Sequence, residues 1–270
     1  MDTSSRLAVL GLGTMGRTLV RGLTASGYDA GAIIGSARRE AAALERREEL
    51  GIEVVLDNAT AARGADVVLL CVKPKQVEAL IGELQAAGAL DHNPLLVSIA
   101  AGISTTTLEA AAGRELPVVR AMPNTPCLIG QGMSVISTGA HATDEHLDTA
   151  EALLAPLGRV MRLDEEHMNA VTGLSASGPA FVYVIIEALS EGGVMVGLPR
   201  AAAIELAAQM VQGAARMVIE SGKHPAALKD EVTTPAGCTI SALLALEDGK
   251  LRSVLARGVQ EATRAAGELG

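Results

Sequence analysis

The apolar positions fall into two regimes. From the start of the chain to about Asp164, short unbroken apolar runs alternate with stretches in which apolar residues recur every three or four positions. Runs without polar alternation, such as Leu7-Ala-Val-Leu10 and Val67-Val-Leu-Leu-Cys-Val72, read as strands covered on both faces, and the longer period reads as helix. Strands are expected at 7–10, 32–35, 52–55, 67–72, 95–99 and 118–122. Helices are expected between them at 15–26, 39–50, 58–63, 74–87 and 105–112, with Pro74 near a first turn, where proline is favoured. Residues 133–137 and 159–163 are expected to add edge strands around a helix at 144–154. Beyond Asp164 the alternation stops, and helices are expected at 178–196, 200–221, 237–247 and 251–268. The first of these is apolar on almost every face (Phe181, Val182, Val184, Ile185, Ile186, Leu189), so it must be covered all round. In a domain of roughly a hundred residues a partner subunit is the expected cover, giving a homodimer interlocked through these helices. A self-contained bundle core is the alternative.

The first strand runs straight into Gly11-Leu-Gly13-Thr-Met-Gly16, and a helix with Met15, Leu19 and Leu23 in register follows. This is the dinucleotide fingerprint in its required context: Gly11 for the tight turn, Gly13 for backbone approach to a pyrophosphate, Gly16 for close helix–strand packing. The pyrophosphate would sit on free N–H groups at the helix start. The fold expected is therefore a doubly wound, mostly parallel α/β Rossmann domain over 1–164, followed by an all-α domain over 165–270.

Composition narrows the picture. Among 270 residues, 49% are hydrophobic but only 1% aromatic, so the core is built from Leu, Val, Ile, Ala and Met. A net charge of −9 argues against a nucleic-acid partner, since neutralising phosphates takes clustered Lys and Arg. No run of eighteen apolar residues suggests a membrane span. The first strand begins at about Arg6, so no signal peptide is expected, and the three cysteines (Cys71, Cys127, Cys238) are widely spaced. Reduced thiols and a cytoplasmic location are expected. The five histidines pair with nothing at ligand spacing, so no metal is expected.

Ligands of open parallel sheets bind outside the carboxyl ends of the strands. After the second strand comes Ser36-Ala-Arg38-Arg39, where an NAD site would usually offer a carboxylate for the ribose 2′-hydroxyl. A hydroxyl and two guanidiniums suit a 2′-phosphate, which favours NADP(H); otherwise these arginines solvate a helix start. Lys73 either lies in solvent or supplies positive charge near the nicotinamide or an acidic substrate. Small Ala100 and Ala101 leave room for a flat ring, and Asn124 in its proline-fixed loop can hold a nicotinamide amide or a substrate. In the helical half, Ser175 and Ser177 either cap the long helix or face the cleft. Thr233-Thr234-Pro-Ala-Gly237-Cys238-Thr239 opens another helix, and hydroxyls beside unpaired N–H groups make a carboxylate cradle.

The motifs GLGTMG, CVKP, SIAAG, RAMPNTP, VTGLSASGPAF and TTPAGCT, in that order, resemble the pyrroline-5-carboxylate reductases over nearly the whole chain. The resemblance implies hydride transfer from NADPH, with NADH as an alternative donor, to the C=N carbon of a small cyclic imino acid, the last step of proline synthesis. It implies cofactor contacts at Leu10, Gly11, Leu12, Gly13, Thr14, Met15, Ser36, Arg38, Asn58, Cys71, Val72, Lys73, Pro74, Ile99, Ala100 and Ala101. It implies substrate contacts at Glu165, Glu231, Cys238 and Thr239, with Thr234 nearby, and dimers of intertwined C-terminal helices that often build into decamers. Gly237–Thr239 would take the carboxylate, Thr239 would hydrogen-bond the ring nitrogen and relay a proton, and the ring would stack on the nicotinamide.

The chain departs from that pattern in places. Ala236 replaces a glycine and restricts the backbone if the position needs positive φ. Cys238 stands where Ala or Thr is commoner, and Ala176 replaces a glycine. Glu231 replaces Asn and brings negative charge near a carboxylate site, which argues against its touching substrate. A reductase of another cyclic imino acid, and a non-catalytic nucleotide sensor on the same fold, are the competing readings.

Overall fold

The structure, a computed structural model, describes residues 5–269. Eight strands form one sheet: β1 (Leu7–Leu10), β2 (Ile33–Ser36), β3 (Glu53–Val55), β4 (Val67–Leu70), β5 (Leu95–Ser98), β6 (Val118–Met122), β7 (Gly132–Thr138) and β8 (Gly158–Arg162). Their order is β3-β2-β1-β4-β5-β6-β7-β8. The first six are parallel, β7 runs antiparallel to β6, and β8 is parallel to β7. Strand order reverses between β1 and β4, the switch point at which such sheets bind ligands. One expectation needs correcting: β7 is paired on both sides, so of the two strands expected at the edge only β8 lies there, with β3 at the opposite edge.

Helices in the sheet-containing unit are α1 (Thr14–Ala25), α2 (Glu40–Leu50), α3 (Asn58–Ala62), α4 (Val77–Ala86), α5 (Thr105–Ala112), α6 (Asp144–Leu154) and α7 (Met168–Val171). They cover both faces, and β1 shows why its sequence is apolar without a break. Leu7 and Val9 enter one core with Leu19, Leu23 and Ile33; Ala8 and Leu10 enter the other with Val68, Leu70 and Ile81. Caps set several helix starts. Asp57 accepts the Thr60 N–H at 2.7 Å before α3, and Ser104 accepts the Thr107 N–H at 3.0 Å before α5. Pro74 opens a 3₁₀ turn, Pro74–Gln76, rather than α4 itself.

The chain divides into two compact units. The first runs through Ser177 and includes the stretch from Glu261; the second is Gly178–Gln260. The division falls after Ser177 because the turns from Met168 to Ala176 pack with the sheet: Met168 and Val171 cluster with Val135, beside Met122 and Leu163. The remaining helices are α8 (Gly178–Met195), α9 (Arg200–Ser221), α10 (Pro225–Val232), α11 (Cys238–Asp248) and α12 (Leu251–Gly267). Helix α10 and the turns at 168–176 are not predicted by the apolar pattern.

In the second unit α8 packs on α9, and Gly193 lies against Ala203, where an added Cβ would come within 3.1 Å. Among the residues of α8 only Ser190 is buried, while Tyr183, Val184, Leu189 and Met195 stand exposed. The helical stretch Glu165–Met195 contains an 18-residue window of mean hydropathy 1.3, long and apolar enough to cross a membrane by length and composition, although the sequence pattern predicts no such stretch.

Candidate functional site

The carboxyl ends of β1, β2, β4 and β5 open onto one cleft of about 940 Å³, near the top of the range for small-molecule sites. The three fingerprint glycines each meet a different constraint there. Gly11 has φ +99°, and a Cβ on it would come within 3.0 Å of the Cys71 carbonyl oxygen. Gly16 has no room for a Cβ because the Gly11 carbonyl occupies that space. At Gly13 a Cβ would meet nothing within 4 Å, so the glycine leaves open space beside the start of α1, whose N-cap has no side-chain hydrogen bond. That open space beside unpaired N–H groups is what a bound pyrophosphate needs, so the residues fit a dinucleotide.

Ser36 is 2% exposed, and its Oγ accepts the Gly11 N–H at 3.3 Å, tying β2 to the glycine turn. Beyond it the rim is cationic. Arg38, Arg39, Arg46, Lys73 and Lys75 line the cleft against one carboxylate, Glu83, in a chain of net charge −9. Among the described residues, Arg38, Arg39, Lys73 and Lys75 have no ion-pair partner. Asn58 lines the same rim and donates from Nδ2 to Glu83 at 3.4 Å.

The far wall is made by Cys71-Val-Lys-Pro74 after β4 and Ile99-Ala-Ala101 after β5. Burial pushes the Cys71 thiol up to about 12, so it stays protonated across the physiological range. The cleft thus gathers Gly11, Gly13, Thr14, Met15, Ser36, Arg38, Arg39, Asn58, Cys71, Val72, Lys73, Pro74, Ile99, Ala100 and Ala101. The sequence does not point to Ala37, Ala42, Arg46, Lys75, Gln76 or the α4 residues Ala79, Leu80 and Glu83, which also line the cleft. A signal for them is present only at Arg46, which lies seven positions beyond Arg39 on α2.

Three expected contacts are placed elsewhere. Leu10 is fully buried in the second core and does not line the cleft. Asn124 also lies outside the lining; its Oδ1 accepts the Met133 N–H at 2.9 Å, and its Nδ2 donates to the Ser175 carbonyl at 3.2 Å. Both ends of its amide hold backbone, which leaves little of it for a nicotinamide. Glu165 accepts the Thr105 N–H at 2.7 Å, the Thr105 hydroxyl, and Arg120 Nη1 at 3.2 Å. Its carboxylate anchors the start of α5 and neutralises Arg120, which is 4% exposed and whose Nε and Nη2 have no partner among the described residues. The Glu165 carboxylate is therefore committed to structure.

The serines of the 174–179 segment do not cap a free helix end. Residues Thr172–Ala176 form a π-helical turn that carries helix onward from α7, and Ser177 donates from both its N–H (2.9 Å) and its Oγ (3.0 Å) to the Thr172 carbonyl.

In the second unit the 233–239 segment is a tight turn into α11. Gly237 is the N-cap, with its N–H on the Thr234 carbonyl at 3.0 Å and no side-chain cap, so the first N–H groups of α11 stay open. A Cβ on Gly237 would strike Thr234 Oγ1, which brings that hydroxyl against the turn. Cys238 is exposed and Thr239 half-buried. Ala236 has φ +58°, a conformation that suits glycine. Glu231 is paired with Lys223 at 2.6 Å, which masks its negative charge. Among the described residues no group of three or more His, Cys, Asp and Glu could hold a metal ion.

Comparison with known proteins bears on both halves. Residues 6–102 match the family model described as NADP oxidoreductase, coenzyme F420-dependent, and residues 165–269 match that described as pyrroline-5-carboxylate reductase dimerisation. The chain is 42% identical over 267 residues to a pyrroline-5-carboxylate reductase of Corynebacterium melassecola, covering 98% of each chain. It is 41% identical to that of Schizosaccharomyces pombe, covering 98% of this chain and 99% of the other. The fold superposes on a pyrroline-5-carboxylate reductase of Coxiella burnetii with a TM-score of 0.92 at 34% identity, covering 99% of both. It superposes on the Plasmodium falciparum enzyme, solved with NADP bound, at 0.88 and 26% identity, again covering 99% of both. A glycine turn built for a dinucleotide, a dimerisation domain following it in the chain, and full-length likeness at about two residues in five leave one conclusion: the chain belongs to the pyrroline-5-carboxylate reductase family, NAD(P)H-dependent oxidoreductases.

Proposed function

We propose that this reductase takes NADPH in preference to NADH and holds the carboxylate of its imino acid at the 234–239 turn. The observation that carries the cofactor preference is the rim beyond β2: Ser36 is neutral and engaged with Gly11, and Arg38 and Arg39 stand beyond it. A carboxylate there would accept a ribose 2′-hydroxyl and repel a 2′-phosphate; guanidiniums do the reverse. The NADP held by the Plasmodium relative supports the same reading. When bound, the reduced nicotinamide supplies the hydride that adds to the C=N carbon of 1-pyrroline-5-carboxylate, giving L-proline.

The chain's own part is binding, orientation and one proton. The open N–H groups at the start of α11 and the Thr234 hydroxyl attract the carboxylate, with the helix dipole favouring an anion. Thr239 Oγ1 hydrogen-bonds the ring nitrogen and relays to it a proton drawn from solvent as the amine forms. Two copies pair through the helical domain, which gives exposed Tyr183, Val184 and Met195 a cover, and decamers are the next level of assembly. Initial rates of NADPH and NADH oxidation with pyrroline-5-carboxylate test the reading. A kcat/KM at least tenfold higher with NADPH is expected; equal values would remove the cofactor preference.

A further inference from the structure

We propose that Arg46 is a third guanidinium at the 2′-phosphate end of the cleft, and that Glu49 is the positioning residue that holds it there. The inference rests on the NADPH reading and adds a determinant to it. Arg39 is the N-cap of α2, Ala42 and Arg46 stand four positions apart on the helix that follows, and all three line the cleft. Small Ala42 between them leaves the space in front of both arginines open. Arg38 and Arg39 stand exposed on the rim, whereas the Arg46 side chain is 17% exposed and fixed.

The fixing is specific. Arg46 Nη1 donates to Glu49 at 2.6 Å and to Glu45 at 2.8 Å. Its Nε and Nη2 have no partner among the described residues, so the guanidinium keeps donors for an anion. Glu49 also accepts Arg17 at 3.1 Å and Arg21 at 2.7 Å, both from α1. The carboxylate is outnumbered: three guanidiniums meet on Glu49, and the excess positive charge lies beside a cleft already lined by cations. Helix α1 begins at the Gly13 turn, so Glu49 ties the helix that meets the pyrophosphate to the helix that meets the 2′ position. The hydrogen bonds from Arg46 and Arg17 outweigh the cost of burial and hold the Glu49 carboxyl below its ordinary range, so it stays ionised and keeps its hold near neutral pH.

A plain staple between α1 and α2 would affect stability and leave nucleotide discrimination alone. The test therefore reads discrimination by calorimetric titration with adenosine 2′,5′-bisphosphate and with adenosine 5′-diphosphate, which lacks the 2′ group. In the Arg46→Met enzyme, affinity for the 2′,5′-bisphosphate should fall roughly tenfold or more, as expected for one charge-assisted hydrogen bond. Affinity for the 5′-diphosphate should fall by much less. Glu49→Gln should produce a smaller loss of the same kind. The double variant should bind the 2′,5′-bisphosphate no worse than Arg46→Met alone, because Glu49 acts through Arg46. An Arg46→Met enzyme that folds and keeps the wild-type ratio of the two affinities overturns the proposal and leaves the NADPH reading standing. A wild-type enzyme that does not distinguish the two nucleotides overturns both. Should Arg46→Met fail to fold, Arg46→Lys keeps the charge, loses the planar fork, and is judged by the same ratio.

Discussion

At Ala236 the backbone takes φ +58°, a region in which a Cβ crowds the following carbonyl at a cost of about 1–2 kcal/mol. Ala236→Gly removes that crowding but frees the unfolded chain by about 0.4–1 kcal/mol, so a net gain of between zero and roughly 1.5 kcal/mol is expected. The melting temperature should rise by up to about 3 °C. A fall would show that the alanine is not strained. One position matters more for chemistry than for stability. Thr239 sits at the start of α11 with its side chain outside the cap, so Thr239→Ala should leave melting unchanged while kcat/KM falls roughly tenfold or more, the worth of one hydrogen bond to a charged group. An unchanged rate would take Thr239 out of the reaction. The sequence carries both residues to notice, but only the backbone angle decides that Ala236 is strained, since φ depends on how the turn closes onto Thr234.

Among the elements, the π-helical turn Thr172–Ala176 is held by a residue from a distant loop. Asn124 binds Ser175 with its Nδ2 and the Met133 N–H with its Oδ1, joining the loop after β6, the start of β7 and the turn. Asn124→Ala leaves the Met133 N–H and the Ser175 carbonyl without that partner, and a loss of about 1–3 kcal/mol is expected. Thermal unfolding with and without the substitution measures it, and a variant as stable as wild type would show that water replaces the amide. The sequence points Asn124 at a ligand because it follows a strand at the ligand-binding end of the sheet. It does not show that Ser175, 51 positions away, takes the amide first. Glu165, which the family resemblance implies as a substrate contact, is likewise engaged by distant partners: Thr105 lies 60 positions from it and Arg120 lies 45. Side chains claimed by distant partners leave no local trace.

For the whole molecule, the apolar character of α8 is the decisive fact. A helix apolar all round must be covered, yet within one chain Val184 remains 64% exposed and Tyr183 62%. Val184→Glu should place a charge where a second copy of the chain would cover apolar surface, and sedimentation velocity should show a shift toward monomer. A variant that sediments like wild type would move the dimer interface off this face.

The glycine fingerprint, the strand–helix alternation and the apolar helix are local in sequence, and each is written in the period or spacing of neighbouring residues. They determined the fold class, the cofactor end of the sheet and the need for a partner before any coordinates. What tertiary structure alone decided is which polar side chains remain for a ligand. Asn124 and Glu165 are taken by distant backbone and by a buried arginine, while Arg46 is brought to the cleft wall and held there by Glu49. Hydrogen-bond partners are chosen in space, and a pattern along the chain carries no record of that choice.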